Sequence, residues 1–290
     1  MPTVLERFDT HRKEIQIRSG PVSYIDTGGQ GRPVLFVHGV ATSSYLWRHV
    51  IGLLDGERRC VAIDLPLCGQ TPAAPDQDFS LPGLADFIAA CCDALDLSDI
   101  DIVGNDTGGA VTQVFAARQP DRLATLTLTN CETHTNVHPP QLLPGLLLAR
   151  LGLLAPLGRM LWRRGVTAGK RLYRSGYSDV ANLPDDIARA WLEPALGTAE
   201  SARQFQRWAL SVHARDLLAI EPALAQLQVP TLIAWGTGDV FFKRKWAYWL
   251  RDTIPGATEV IELEGARLFF PDERATEFTA ALRRHWEAHP

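Results

Sequence analysis

The sequence predicts an α/β fold in which helices cover both faces of a mostly parallel sheet and a helical segment is inserted between two strands. Short apolar runs typical of buried strands alternate with segments of helical periodicity. This alternation stops after Thr129 and resumes at Pro230. A chain of 290 residues is long enough for one large core with an insertion.

The chain opens with a predicted antiparallel hairpin, because polar and apolar residues alternate on both sides of Ser19-Gly20-Pro21. Strands and helices then alternate, as expected for parallel pairing. The predicted elements are a strand Val34–Val37, a helix from near Ser43, a strand Cys60–Ile63, a helix Leu81–Leu95, a strand Ile100–Val103, a helix Gly108–Arg118 and a strand Leu123–Leu128.

Residues 137–213 are rich in Leu, Arg and Pro, have helical spacing and contain no strand-like segment. We interpret them as a helical cap over an active site; an ordinary helical subdomain is the alternative. Residues 1–136 and 214–290 would form the core domain. Its last elements are predicted as strands Pro230–Trp235 and Thr258–Leu263 with helices Lys245–Arg251 and Glu273–His285.

Composition narrows the class of partner. A net charge of -4 offers no basic face for nucleic acid and no polybasic anchor for a membrane. The amino terminus lacks the apolar region of a signal peptide, and the five cysteines are an odd number without CxxC spacing. We therefore expect a soluble, cytoplasmic protein with a small-molecule substrate; its oligomeric state is left open. No motif calls for a metal or an organic cofactor.

The strongest chemical signal is Gly104-Asn105-Asp106-Thr107-Gly108, which follows a predicted strand and opens a predicted helix. This is the context of a nucleophile elbow, where glycines allow a strained turn to lift one side chain out at the carboxyl end of the sheet. A glycine-rich turn with an N-capping aspartate is the alternative. We take Asp106 as the candidate catalytic residue.

Other segments agree with this interpretation and carry a family resemblance. They are His38-Gly39, the run Thr42–Arg48, the turn Asp64-Leu65-Pro66 and the run Ala234–Asp239. With the elbow, they resemble the haloalkane dehalogenase and epoxide hydrolase branch of the α/β-hydrolases. The resemblance implies an α/β-hydrolase fold, Asp106 as a nucleophile that forms an ester, and Asp239 as the acid that orients a catalytic histidine.

The resemblance also implies a substrate site, and the sequence departs from it. Backbone N–H groups of Val40 and Thr107 would hold the oxyanion, but these positions lack the Asn and Trp side chains that bind halide in dehalogenases. Ordinary dehalogenation is therefore disfavoured. Epoxide hydrolases have cap tyrosines that polarise the epoxide oxygen, and this chain has Tyr173 and Tyr177 in the expected cap, spaced i, i+4 so that both could face one way on a helix. Two such tyrosines could also simply pack or face solvent.

The largest departure concerns the catalytic base. Aligned on Gly265-Ala266, the family's histidine position holds Leu268, which cannot accept a proton. His134 and Glu132 leave the sheet at the same edge as Asp106, so His134 is a candidate relocated base and Glu132 a candidate substrate-site residue. His38 is a further candidate at the substrate site. It precedes the loop 39–41, which carries the Val40 N–H and is called the oxyanion loop below, and we expect His38 to be structural.

The leading function is thus a cofactor-independent enzyme that uses Asp106 on a small to medium, largely apolar substrate. The apolar run Leu142–Leu148 would suit a pocket roof. Two alternatives remain: an acid/base catalyst of isomerisation, elimination or cyclisation, in which burial raises the pKa of Asp106, or an inactive ligand-binding homologue.

Overall fold

The computed structural model describes residues 4–290, and its centre is an eight-stranded sheet of order β1-β2-β4-β3-β5-β6-β7-β8. The pairs β1/β2 and β2/β4 are antiparallel, and the others are parallel. The strands are β1 Arg12–Ile17, β2 Gly20–Asp26, β3 Val34–Val37, β4 Cys60–Ile63, β5 Ile100–Gly104, β6 Leu123–Thr129, β7 Thr231–Gly236 and β8 Ala257–Leu263.

Helices separate the parallel strands along the chain and complete the predicted α/β fold. They are α1 Val4–Asp9, α2 Arg48–Leu54, α3 Leu81–Ala94, α4 Thr107–Arg118, α5 Leu143–Arg150, α6 Leu154–Arg163, α7 Val166–Lys170, α8 Asp185–Leu196, α9 Ala199–Ser211, α10 Ala214–Leu224, α11 Lys245–Thr253, α12 Phe270–Glu273 and α13 Ala275–Ala288.

The observed elements follow the predicted ones closely because the strands are almost wholly buried. Strands β3, β4, β5 and β7 have no exposed residue, which explains their continuous apolar character. Two helices differ in detail. The helix expected near Ser43 begins as a 3₁₀ turn, Ser44–Trp47. The expected closing helix is divided at Arg274, whose φ of -126° is not helical.

The segment between β6 and β7 is helical throughout its regular parts. Helices α5, α6 and α8 each pack against α9, so the inserted helices form their own cluster. The assignment of residues 137–213 as a cap stays a prediction. Within residues 4–290 no single helix has the length and apolar character of a membrane span; Pro140–Arg150 and Leu154–Arg163 reach them only as a pair bent by 105°.

Candidate active site

Asp106 lies at the tight turn between β5 and α4. Its φ of 55° and ψ of -138° are strained for a residue with a side chain, and its N–H donates to the carbonyl of Asn130 over 2.8 Å. Glycines make the turn possible: a Cβ on Gly108 would clash with the carbonyl of His38, and one on Gly39 would clash with the Asp106 carboxylate. The local sequence thus builds a strained elbow.

The Asp106 carboxylate is enclosed and has only backbone donors as stabilising partners. The N–H groups of Val40 and Thr107 donate to it, and the residue is 8% exposed. Burial raises the pKa of Asp106 well above its usual value, and the nearby carboxyls of Glu132 and Asp239 raise it further. The two N–H groups oppose this shift, and they are the pair expected to form an oxyanion hole.

Glu132 is a second buried carboxyl beside the elbow. Its Oε1 accepts a hydrogen bond of 3.1 Å from the hydroxyl of Thr107, whereas its buried Oε2 has no hydrogen-bond partner among residues 4–290. Burial raises the pKa of Glu132 to about 7. This carboxyl can therefore change protonation state near neutral pH. Because the Thr107 hydroxyl is engaged here, it is not free to bind a halide.

Asp239 follows β7 and has a well-defined set of donors. Its Oδ1 accepts from the N–H groups of Phe241 and Phe242, at 2.7 and 3.3 Å. Its Oδ2 accepts from the amide of Asn130 at 2.8 Å. Burial raises the pKa of Asp239 to about 6 despite these hydrogen bonds. Three carboxyls thus share one buried region, and burial raises the pKa of each.

Asn130 and Asn105 are site residues that the sequence analysis missed. The Asn130 side chain joins Asp239 to the backbone of Gly236, and the main-chain carbonyl of Asn130 accepts from the N–H of Asp106. The Asn105 amide donates to Thr129 and to the carbonyl of Leu268. Their position in the sequence could have identified them, because each directly follows a buried strand at the edge of the sheet where Asp106 lies.

A family model for the alpha/beta hydrolase fold matches residues 32–273. The chain belongs to the α/β-hydrolase fold family. A haloalkane dehalogenase from Agrobacterium fabrum is 42% identical over 95 residues, which are 33% of this chain and 31% of that enzyme. A cis-3-alkyl-4-alkyloxetan-2-one decarboxylase from Shewanella oneidensis is 28% identical over 266 residues, 88% of this chain and 82% of that enzyme.

Solved structures agree with this assignment at the level of fold. A haloalkane dehalogenase from Agrobacterium tumefaciens superposes with a TM-score of 0.77 at 23% identity, covering 93% of this chain and 94% of that one. The family model and the named relatives, among them haloalkane dehalogenases, support a hydrolase on this fold.

In this α/β-hydrolase, Leu268 is a buried residue whose backbone lies next to the elbow. Its side chain is 5% exposed, and its carbonyl accepts a 3.1 Å hydrogen bond from the amide of Asn105. A leucine at this place contributes packing and no proton acceptor. The base of any hydrolytic cycle must therefore come from another residue.

His38 is a fully buried histidine with both ring nitrogens engaged. Its Nε2 accepts from the N–H of Leu65 at 3.0 Å, so its Nδ1 carries the proton and lies 2.7 Å from the carbonyl of Gly39. Burial lowers the pKa of His38, which favours the neutral ring. These contacts tie the oxyanion loop to the Asp64-Leu65-Pro66 turn.

His134 leaves β6 near the site, but its contacts lie with α10 and α11. Its Nδ1 pairs with Glu221, and its ring stacks on Trp249 at 4.9 Å between centroids. Within residues 4–290 no hydrogen bond joins His134 to Asp106. The relocated-base interpretation therefore gains no support from these contacts, because the contact with Glu221 and the stacking hold the ring against the two helices.

The two tyrosines of the inserted segment, Tyr173 and Tyr177, are buried, and their hydroxyls are hydrogen-bonded. Tyr173 donates to the carbonyl of Ala41 at 2.5 Å, and Tyr177 donates to Asp272 at 2.7 Å. Both rings pack against Trp191. They were expected to share one helix; in the structure Tyr173 ends a 3₁₀ turn and Tyr177 lies in the irregular segment that follows. Both hydroxyls therefore donate to other residues of the protein.

Within the part of the chain that the structure describes, no group of three or more His, Cys, Asp or Glu side chains is arranged to hold a metal ion. The polar groups next to the Asp106 carboxylate are the carboxyls of Glu132 and Asp239 and the N–H groups of Val40 and Thr107.

Proposed function

We propose that this protein is a cofactor-independent enzyme in which the Asp106 carboxylate attacks a small to medium, largely apolar organic substrate. The observation that carries the proposal is the strained elbow, which presents the carboxylate to the N–H groups of Val40 and Thr107. Maintaining a buried carboxyl in a strained turn costs free energy and has no structural purpose here. The named relatives add support for hydrolysis.

In the first step an Asp106 oxygen bonds to an electrophilic carbon, and the leaving group departs with the bonding electrons of that carbon. The product is an ester of Asp106. In the second step water attacks the ester carbonyl, and the oxyanion that forms accepts from Val40 and Thr107. The alcohol then leaves, and Asp106 regains a carboxylate in which one oxygen comes from water.

We assign the base of the second step to Glu132. Its pKa of about 7 matches that of an ordinary histidine, and its unpartnered Oε2 can take a proton from water and return it to the departing alkoxide. Asp239, fixed by backbone donors and Asn130, acts on this carboxyl through its charge. Glu132 thus takes the role that the family resemblance gives to a histidine.

The test of the nucleophile is isotopic. One turnover in H₂¹⁸O with an alkyl halide or epoxide substrate should place ¹⁸O in the peptide that contains Asp106. Asp106→Asn should form no adduct, as measured by intact-protein mass spectrometry. Turnover that leaves this peptide unlabelled would contradict the ester mechanism.

The test of the base is a rate profile. We expect ester hydrolysis to rise as pH increases through about 7, where Glu132 loses its proton. Glu132→Gln should slow this step by about 10²- to 10⁴-fold and leave adduct formation intact. Glu264→Gln, at an exposed carboxyl, is the matched control. An unchanged decay rate in Glu132→Gln would exclude Glu132 as the base.

A second candidate is ring-opening decarboxylation of a β-lactone, the reaction named for the Shewanella relative. Breaking the ring O–C4 and C2–C3 bonds of an oxetan-2-one gives an alkene and CO₂ and consumes no water. Leucine at position 268 favours this alternative, since no base for water is required. A 3,4-dialkyl-oxetan-2-one should then yield alkene, detectable by gas chromatography, whereas hydrolysis would yield the 3-hydroxy acid.

A further inference from the structure

We propose that the surface formed by α5 and α6 docks this protein onto a membrane containing anionic phospholipids. The proposal is independent of the reaction at Asp106. The docking surface consists of exposed apolar side chains together with an arginine-lined cleft beside them. Its apolar members are Leu142, Leu143, Leu147, Leu151, Leu153, Leu157 and Met160.

The apolar half of the docking surface is unusual for side chains facing water. Leu143, Leu147 and Leu151 are 51%, 57% and 62% exposed, whereas Leu146 and Ala149 of the same helix are buried. Helix α5 therefore packs through one face and presents leucines on the other. Leu143, Leu147 and Leu151 are spaced four residues apart and so lie on one side of α5. Exposed apolar side chains on one face of a helix mark a contact with another molecule or with lipid.

The charge of the segment that contains α5 and α6 indicates which kind of partner the docking surface binds. Between Glu132 and Asp179 the sequence contains no acidic residue, although the chain as a whole has a net charge of -4. A local positive potential on an acidic protein favours an anionic surface. The basic residues of the segment are Arg150, Arg159, Arg163, Arg164, Lys170, Arg171 and Arg174.

A cleft of about 740 Å³ between α6 and α9 brings cations and apolar groups together. Within residues 4–290 Arg163 and Arg164, both exposed on its rim, form no ion pair. Arg159 donates to the carbonyl of Leu196, and Arg203 pairs with Glu200. Guanidinium groups bind phosphate oxygens in a bidentate manner, so a phosphodiester headgroup fits this cleft while nearby leucines enter the acyl region.

A second copy of the chain is a poorer occupant of the same surface. A two-fold symmetric contact would bring together two copies of this segment, which has basic but no acidic side chains, and the like charges would repel. A bilayer satisfies both parts of the surface, because its acyl chains accept the leucines and its anionic headgroups accept the arginines. Lipid is therefore the occupant that we assign.

The experiment is flotation of the full chain with phosphatidylcholine vesicles and with vesicles that also contain 30 mol% phosphatidylglycerol, at low salt and at 0.5 M NaCl. We expect binding to the anionic vesicles to exceed binding to neutral ones by tenfold or more, and high salt to weaken it. Leu147→Asp/Leu151→Asp and Arg163→Gln/Arg164→Gln should each reduce binding by about tenfold or more.

Matched substitutions outside the docking surface are Leu218→Asp and Arg215→Gln, both at exposed positions of α10; these should leave binding unchanged. Circular dichroism checks that each variant folds. Absence of vesicle binding, or binding that ignores the leucine and arginine substitutions, would overturn the proposal. So would self-association of the wild type that the leucine substitutions abolish, because it would assign the surface to a second copy.

Discussion

At the scale of single residues, three buried carboxyls determine what this site can do. Asp106, Glu132 and Asp239 all have raised pKa values, with burial as the largest cause. A carboxyl whose pKa is near neutral can donate or accept a proton, which an ordinary ionised carboxylate does poorly at pH 7. Under the proposed mechanism, this raised pKa is what allows a carboxyl to act as the base that Leu268 cannot provide.

Leu268→His should create a base at the position where the family resemblance expects a catalytic histidine. We expect the Asp106 ester to decay about 10²-fold faster or more than in the wild type, because a positioned imidazole activates water. Decay is followed by intact mass after a single turnover. Leu268→Met keeps the volume without a base; equal decay in the two variants would mean that residue 268 does not face the ester.

At the scale of elements, the elbow and the oxyanion loop after β3 fit without spare space. A Cβ on Gly39 would lie well under 3.0 Å from the Asp106 carboxylate. The loop is fixed from behind by His38 and from the inserted segment by the Tyr173 hydroxyl. Two separate parts of the chain thus set the position of the Val40 N–H.

Gly39→Ala should displace the Asp106 carboxylate from its two backbone donors and lower the rate of adduct formation by about 10²-fold. Pre-steady-state kinetics with an alkyl halide or epoxide measures it. Gly52→Ala is the control: the added Cβ meets nothing within 4 Å, and alanine in α2 should stabilise the protein by about 0.5–1 kcal/mol. An active Gly39→Ala variant would show that the loop can shift.

The sequence was informative about elements and less so about contacts between side chains. Strands such as Val34–Val37 and Cys60–Ile63 were predictable because burial on both faces leaves a continuous apolar run. The pairing of His134 with Glu221 joins residues far apart in the chain, and no local pattern encodes it. For the same reason the Asn130–Asp239 hydrogen bond was not predictable from spacing.

At the scale of the whole molecule, the net charge does not show how acidic and basic side chains are distributed along the chain. The value of -4 led us to expect no membrane partner, yet residues 137–178 are entirely free of acidic side chains. The run Leu142–Leu148 was expected to roof a pocket; Leu142, Leu143 and Leu147 instead face outward, because α5 packs through Leu146 and Ala149. Which leucines are exposed depends on how the inserted helices pack against one another, and the linear pattern of the sequence does not specify this packing.

Global stability should depend on pH through Glu132. Its folded-state pKa of about 7 exceeds the reference value of 4.5, so the fold favours the protonated form and loses stability as pH rises from about 4.5 through 7. By pH 8 the loss is up to about 3 kcal/mol. Glu132→Gln should remove it and be more stable than the wild type at pH 8.

Urea unfolding of Glu132→Gln and the wild type at pH 5 and pH 8 measures the difference. Glu264→Gln, at an exposed carboxyl, should track the wild type at both pH values. A stability difference between Glu132→Gln and the wild type that does not grow with pH would contradict the raised pKa.

The main-chain carbonyl of Asn130 accepts from the N–H of Asp106, and its side-chain amide donates to the carboxylate of Asp239. The distance between the two acids is therefore set inside the sheet and owes nothing to the inserted helices. In evolutionary terms, such a segment can diverge or be exchanged for another while the reacting groups keep their spacing. A replacement segment grafted after Asn136 would leave these Asn130 hydrogen bonds in place, but it would have to supply a new partner for the Ala41 carbonyl, which Tyr173 contacts.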